Sequence, residues 1–154
     1  MIIRKAIIDD FLQIAALDRE AWRQNRNSEF IPDGEHVWRH WIDDALLFVA
    51  ETGGEVVGVI LAFPSLKGTL CLHKIFVASN RRGEGIGQKL LEALLSEIDR
   101  HGQACYLTVD PENSTAITLY RKLGFTDERL VEGYYRPDED RLVLTRPARH
   151  NPHE

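Results

Sequence analysis

Arg82-Gly83-Glu84-Gly85-Ile86-Gly87 decides the reading of this chain. It follows a strand-like run, Leu70-Cys71-Leu72-His73-Lys74-Ile75-Phe76-Val77, and opens an amphipathic stretch from Ile86 to His101. Glycines between a strand and a helix let backbone approach a ligand closely. The first N–H groups of the helix then face outward, and its dipole favours an anion. The arrangement predicts a phosphate-binding turn, although glycines at such a place also serve as plain tight turns.

Two phosphate folds fit poorly. A P-loop needs Lys-Ser/Thr after its second glycine, and here Gly87 is followed by Gln88-Lys89-Leu90. A dinucleotide fingerprint needs an acid ending a second strand about 20 residues on. Asp110 does end the strand Ala104–Val109, but that fingerprint usually opens its domain, and here a long stretch precedes it.

Downstream lies Asn113-Ser114-Thr115-Ala116-Ile117-Thr118-Leu119-Tyr120-Arg121-Lys122-Leu123-Gly124-Phe125. Asn113 suits a helix N-cap and Gly124 a helix stop. Together, Arg82-x-x-Gly85-x-Gly87 and Asn113-x-x-Ala116-x-x-x-Tyr120 with Gly124-Phe125 closely resemble the GNAT superfamily of N-acetyltransferases. Within it the chain is most similar to the ribosomal-protein alanine N-acetyltransferases. The resemblance covers residues 1–146, expected to form a single domain, and leaves 147–154 as a short polar tail. It implies an α/β fold: a mixed, mostly antiparallel sheet of about seven strands with splayed central strands, flanked by helices.

Composition sets the bounds. A chain of 154 residues matches one domain, and 44% hydrophobic with 28% charged residues suffices for an ordinary core. No run of about 18 apolar residues predicts a membrane span. Met1-Ile2-Ile3-Arg4-Lys5 enters a strand pattern directly, so a cytoplasmic enzyme is expected. A net charge of −5 disfavours a general nucleic-acid binder and suits a cationic amine.

The pattern predicts a β-α-α-β-β-β-α-β-α-β-β order. Residues 2–6 read as a strand, and Asp9 as the cap of a helix to Arg23 with Phe11, Ile14, Leu17 and Ala21 on one face. A second helix spans 34–44. Strands 46–51 and 56–63 flank the turn Thr52-Gly53-Gly54-Glu55. Strand 69–77, helix 86–101, strand 104–109, helix 114–123 and strands near 125–135 and 140–146 complete the order. The apolar face of helix 86–101 is Ile86, Leu90, Leu91, Leu94, Leu95 and Ile98. Cys71 and Cys105 read as two buried thiols. His36 and His40 share a helix face, but no third ligand is evident and no metal is expected.

The resemblance implies acetyl-CoA as acetyl donor, held in a gap between strands 69–77 and 104–109. Backbone groups of Ile75, Phe76 and Val77 would bond the pantetheine arm. The N–H groups of Gly83, Glu84, Gly85, Ile86, Gly87 and Gln88 would hold the pyrophosphate, with Arg82 either adding charge or facing solvent. Asn113 matches the family's cofactor-bonding asparagine, with a plain N-cap as its alternative. Tyr120 occupies the slot of the residue that protonates the leaving thiolate. A phenol, with an ordinary pKa of about 10, carries a proton to donate at neutral pH.

The base is less direct. Related N-terminal acetyltransferases carry Glu or His where this chain has Thr108, which cannot titrate. His73 is the candidate, since imidazole titrates at about pH 6.5 and arylalkylamine acetyltransferases place a histidine at a similar offset. Glu29, Asp110 and a water relay are the alternatives. Tyr134-Tyr135 resembles the Tyr-Tyr-Pro segment over the substrate site of the alanine acetyltransferases, with Arg136 intervening before Pro137. Phe30, Thr108, Tyr134 and Tyr135 are the candidate substrate contacts. The acceptor is a protein N-terminus, or alternatively a small amine, and the enzyme a monomer or homodimer. A non-catalytic acyl-CoA-binding module is the third possibility.

Overall fold

The computed structural model describes residues 1–24 and 31–149. Phe30 and Glu29 lie outside the described residues. The elements run β1 (Ile2–Lys5), α1 (Phe11–Gln24), α2 (Glu35–Asp44), β2 (Leu46–Thr52), β3 (Glu55–Pro64), β4 (Leu70–Val77), α3 (Ile86–Arg100), β5 (Cys105–Val109), α4 (Ser114–Lys122), β6 (Asp127–Val131) and β7 (Arg141–Arg146). This is the order that the sequence pattern predicts. The strands form one seven-stranded sheet in the order β1-β2-β3-β4-β5-β7-β6. β4 and β5 pair in parallel, while β1–β2, β2–β3, β5–β7 and β6–β7 are antiparallel. The mixed, mostly antiparallel sheet flanked by helices is the predicted fold class.

The chain divides into two compact units, Met1–Pro64 with His73–Glu97, and Ser65–Leu72 with Ile98–Glu154. In the first, Ile14, Ala15, Trp38, Leu47, Val49, Val56, Val59 and Leu61 make one buried cluster. β3 is buried along its whole middle, which is why it reads as an unbroken apolar run rather than an alternation. α3 covers this strand at Gly58. A Cβ there would lie 2.9 Å from Cγ2 of Ile86 and 3.1 Å from Cδ1 of Leu90, so only glycine permits this approach of helix to strand. The predicted apolar face of α3, from Ile86 to Ile98, is buried.

The helix start needs correction. Asp9 does not cap α1. A short 3-10 turn, Ile8–Asp10, precedes the helix, and the buried Asp10 accepts the Ile7 N–H at 2.8 Å. Arg4 pairs with the same carboxylate at 2.8 and 3.0 Å. The side chain that caps the turn is therefore the one that a strand arginine can also reach.

In the second unit Cys105, Leu107, Val109, Ile117, Phe125, Val143 and Leu144 are buried. Arg146 is buried with them because each end of its guanidinium is bonded. It grips Asp99 at 2.6 and 2.9 Å and donates to the Leu123 carbonyl at 2.8 Å. β6 stops at Val131, short of the predicted 135. Gly133, at φ +61°, turns the chain away, so Tyr134 and Tyr135 stand in the β6–β7 loop. Among the described residues, no helix is long and apolar enough to cross a membrane.

Candidate active site

The glycine turn has a bare, glycine-only backbone at two positions. Gly83 and Gly85 have φ of +82° and +77°, which side-chain-bearing residues rarely adopt. A Cβ at either position would meet no heavy atom within 4 Å, so the backbone lies bare. The carbonyl of Gly85 accepts the Lys89 N–H at 3.2 Å and starts α3, a 15-residue helix. N–H groups of its first turn have no intrahelical acceptor, and they suit an anion. Arg81 pairs with Glu84 at 2.8 Å across the turn, while Arg82 is exposed. The residues thus fit a pyrophosphate.

His73, in the same unit, is exposed on β4 but held in place. Its Nε2 lies 3.1 Å from Oδ2 of Asp33. Trp41 and Phe63 pack their rings on it edge-to-face, with centroids 5.6 and 5.5 Å away. Lys74 bonds Asp33 at 2.8 Å and Asp18 at 3.0 and 3.1 Å. Burial pushes the Asp33 carboxyl up, but the hydrogen bonds from His73 and Lys74 outweigh it and hold its pKa below the ordinary value. Sequence reasoning missed Asp18 and Asp33. An acid on the buried face of α1, where the 3.6-residue period expects an apolar side chain, was the available signal for Asp18.

Tyr120, in the second unit, sits against Phe125 with ring centroids 5.6 Å apart. Burial pushes its phenol above the ordinary value, so it is protonated at neutral pH. Asn113 caps α4: its Oδ1 accepts the Ala116 N–H at 3.2 Å. The side-chain oxygen thus serves the helix cap, as the N-cap alternative expects.

A cluster of hydroxyl and aromatic groups lies on β5, the start of β4 and the β6–β7 loop. Thr108 Oγ1 is 2.7 Å from the Tyr135 hydroxyl. The Tyr134 and Tyr135 rings meet edge-to-face at 4.7 Å, and the Arg141 guanidinium stands 5.4 Å from the Tyr135 ring centre. Cys71 shares a hydrogen bond with Tyr106 that, with burial, pushes the Tyr106 phenol up to about 12. Cys105 is fully buried, and burial pushes its thiol up to about 12. Cys71 is only half-buried, because its side chain turns to the Tyr106 face; the expectation of two buried thiols holds for Cys105 alone. The His36 and His40 rings pack edge-to-face at 4.6 Å.

Residues 11–125 match the model of the acetyltransferase (GNAT) family. The chain belongs to the GNAT family. It is accordingly an N-acetyltransferase, and acetyl-CoA is the donor of its family. An N-alpha-acetyltransferase of Sulfurisphaera tokodaii is 35% identical, over 94% of this chain and 92% of that protein. The crystal structure of a ribosomal-protein-alanine N-acetyltransferase from Brucella melitensis matches with a TM-score of 0.74 at 26% identity, over 94% of this chain and 98% of that one. An aminoglycoside 6'-N-acetyltransferase complexed with coenzyme A shares the fold, with a TM-score of 0.75 at 21% identity over 99% of both chains.

Proposed function

We propose that this GNAT enzyme acetylates the N-terminal amine of a polypeptide, with acetyl-CoA as donor. The conformation of the glycine turn carries the cofactor half of the reading. Two glycines at positive φ open a 15-residue helix with bare backbone. The pyrophosphate takes the N–H groups of residues 83–88, and the pantetheine arm takes the backbone of Ile75, Phe76 and Val77. The reading treats residues 1–146 as one catalytic domain, since the family match crosses both compact units.

The chemistry needs a neutral amine, a polarised thioester carbonyl and a proton for the leaving sulfur. His73 takes the proton from the substrate ammonium. The amine nitrogen then attacks the thioester carbon, a C–N bond forms, and the C–S bond breaks on collapse. Tyr120 gives its proton to the departing thiolate. Partial burial raises the phenol pKa, so it carries that proton at neutral pH.

A peptide acceptor is favoured by the likeness to an N-alpha-acetyltransferase and a ribosomal-protein-alanine N-acetyltransferase, and by the Thr108–Tyr135 pair. The pair offers hydroxyl groups to a main chain, flanked by the aromatic faces of Tyr134 and Tyr135. The test is a panel of N-terminal peptides and small amines, read by release of free CoA. Turnover on peptides with little on polyamines, amino-acid derivatives and aminoglycosides is expected. Turnover confined to small amines overturns the acceptor assignment, and no turnover with acetyl-CoA bound points to a binding module.

A further inference from the structure

Asp33 joins two side chains that a regular strand holds apart. His73 and Lys74 are consecutive on β4, and consecutive strand side chains point to opposite faces. Yet one oxygen, Oδ2 of Asp33, lies 3.1 Å from Nε2 of His73 and 2.8 Å from Nζ of Lys74. The carboxylate is itself fixed. Its own backbone N–H donates to Asp18 Oδ2 at 2.9 Å, and Lys74 ties Asp18 to Asp33. Asp18 is 5% exposed and also accepts Trp38 Nε1 at 3.3 Å. A buried carboxylate with this many donors does not wander.

We propose that Asp33 is a positioning residue for His73 in the acetyl transfer. The inference rests on the reading of His73 as the base. By accepting the Nε2–H, Asp33 selects the tautomer whose Nδ1 carries the lone pair. It also fixes the ring orientation, with Trp41 and Phe63 closing off rotation on the other sides. Nδ1 then takes one proton from the substrate ammonium, His73 becomes imidazolium, and Asp33 stays ionised. The proton passes to bulk water after the acetyl group has moved.

Charge supports the assignment. Two carboxylates, Asp18 and Asp33, face one ammonium, Lys74, which leaves one negative charge within this cluster. An imidazolium at His73 completes it. The α2 and β3 side chains packed on His73, Trp41 and Phe63, are uncharged, and among the described residues Asp33 is the charged group bonded to the ring, with Lys74 on the far side of that bond through the same carboxylate.

Four variants of the full chain test this with one peptide substrate: Asp33→Asn, Asp33→Glu, His73→Ala and the double variant D33N/H73A. One charge-assisted hydrogen bond predicts a loss in kcat/KM of about 10–100-fold for Asp33→Asn. The rising limb of its pH profile should move to lower pH, because the imidazolium loses its counter-charge while Lys74 remains. Asp33→Glu should recover part of both. In the His73→Ala background, Asp33→Asn should cost nothing further. An unmoved limb, or the same loss with and without His73, overturns the positioning role and leaves Asp33 structural. The His73 reading fails separately, if His73→Ala alone keeps the parent's rate and profile. Nitrogen NMR of the parent, above the limb, supplies a readout that needs no activity. Nε2–H is expected, and a proton on Nδ1 overturns the inference whatever the base is.

Discussion

Thr108 and Tyr135, 27 positions apart in sequence, share a hydrogen bond of 2.7 Å between their hydroxyls. Thr108 lies on β5 and Tyr135 in the β6–β7 loop, and the family resemblance names both as candidate substrate contacts. The bond joins two candidate substrate contacts into one unit. If they act as one, Tyr135→Phe and Thr108→Val should each raise the peptide KM by about 2–10-fold, the weight of one neutral hydrogen bond. The double variant should be no worse than the worse single, because coupled residues are not additive. The acetyl-CoA KM should stay put. Additive losses would show that the two hydroxyls act separately.

Tyr120 is half-buried against Phe125, and its phenol holds its proton. Tyr120→Phe keeps the ring contact and removes the proton. A kcat lower by ~10²–10⁴-fold with little change in cofactor affinity is expected for loss of one acid. Steady-state kinetics with calorimetric titration of CoA separates the two. A kcat within about twofold of the parent removes Tyr120 from the chemistry.

The glycine turn predicts a thermal response. At about 100 times its Kd, acetyl-CoA adds roughly 2.7 kcal/mol to the folded state, which raises the midpoint by about 5–10 °C for a domain of this size. Gly85→Glu puts a side chain at φ +77° and a like charge beside the pyrophosphate. The shift should vanish while circular dichroism still reports a folded chain. A folded variant with the full shift would place the cofactor elsewhere.

Gly58 predicts a purely structural effect. Gly58→Val drives a branched side chain into Ile86 and Leu90 and should cost ~1–3 kcal/mol, typical of overpacking. Gly34→Ala, at a position where a Cβ meets nothing within 4 Å, is the matched control and should stay within about 1 kcal/mol. Urea midpoints measure both. Equal stabilities would mean that α3 yields freely above β3.

The linear order of elements was written into the sequence because each depends on local physics. Apolar periodicity set α3, Asn113 and Gly124 bracketed α4, and Gly53-Gly54 marked the hairpin. The glycine turn was also legible locally, whereas Tyr120 and the Tyr134-Tyr135 pair were singled out by the family resemblance. Local signals failed where a residue's role depends on a distant partner. Asp9 and Asp10 both suit a helix start, and only the nearby β1 arginine makes Asp10 the buried one. Cys71 lies in an apolar run like Cys105, yet its strand register sets it opposite Tyr106 and leaves it half open. Asp33 carries no motif. It gains its place from Asp18 on α1 and Lys74 on β4, 15 and 41 positions away along the chain. Periodicity tells a side chain which face to take. Which charges and hydroxyls then meet there is decided only when the strands and helices pack, because hydrogen bonds act over about 3 Å and carry no signature along the chain.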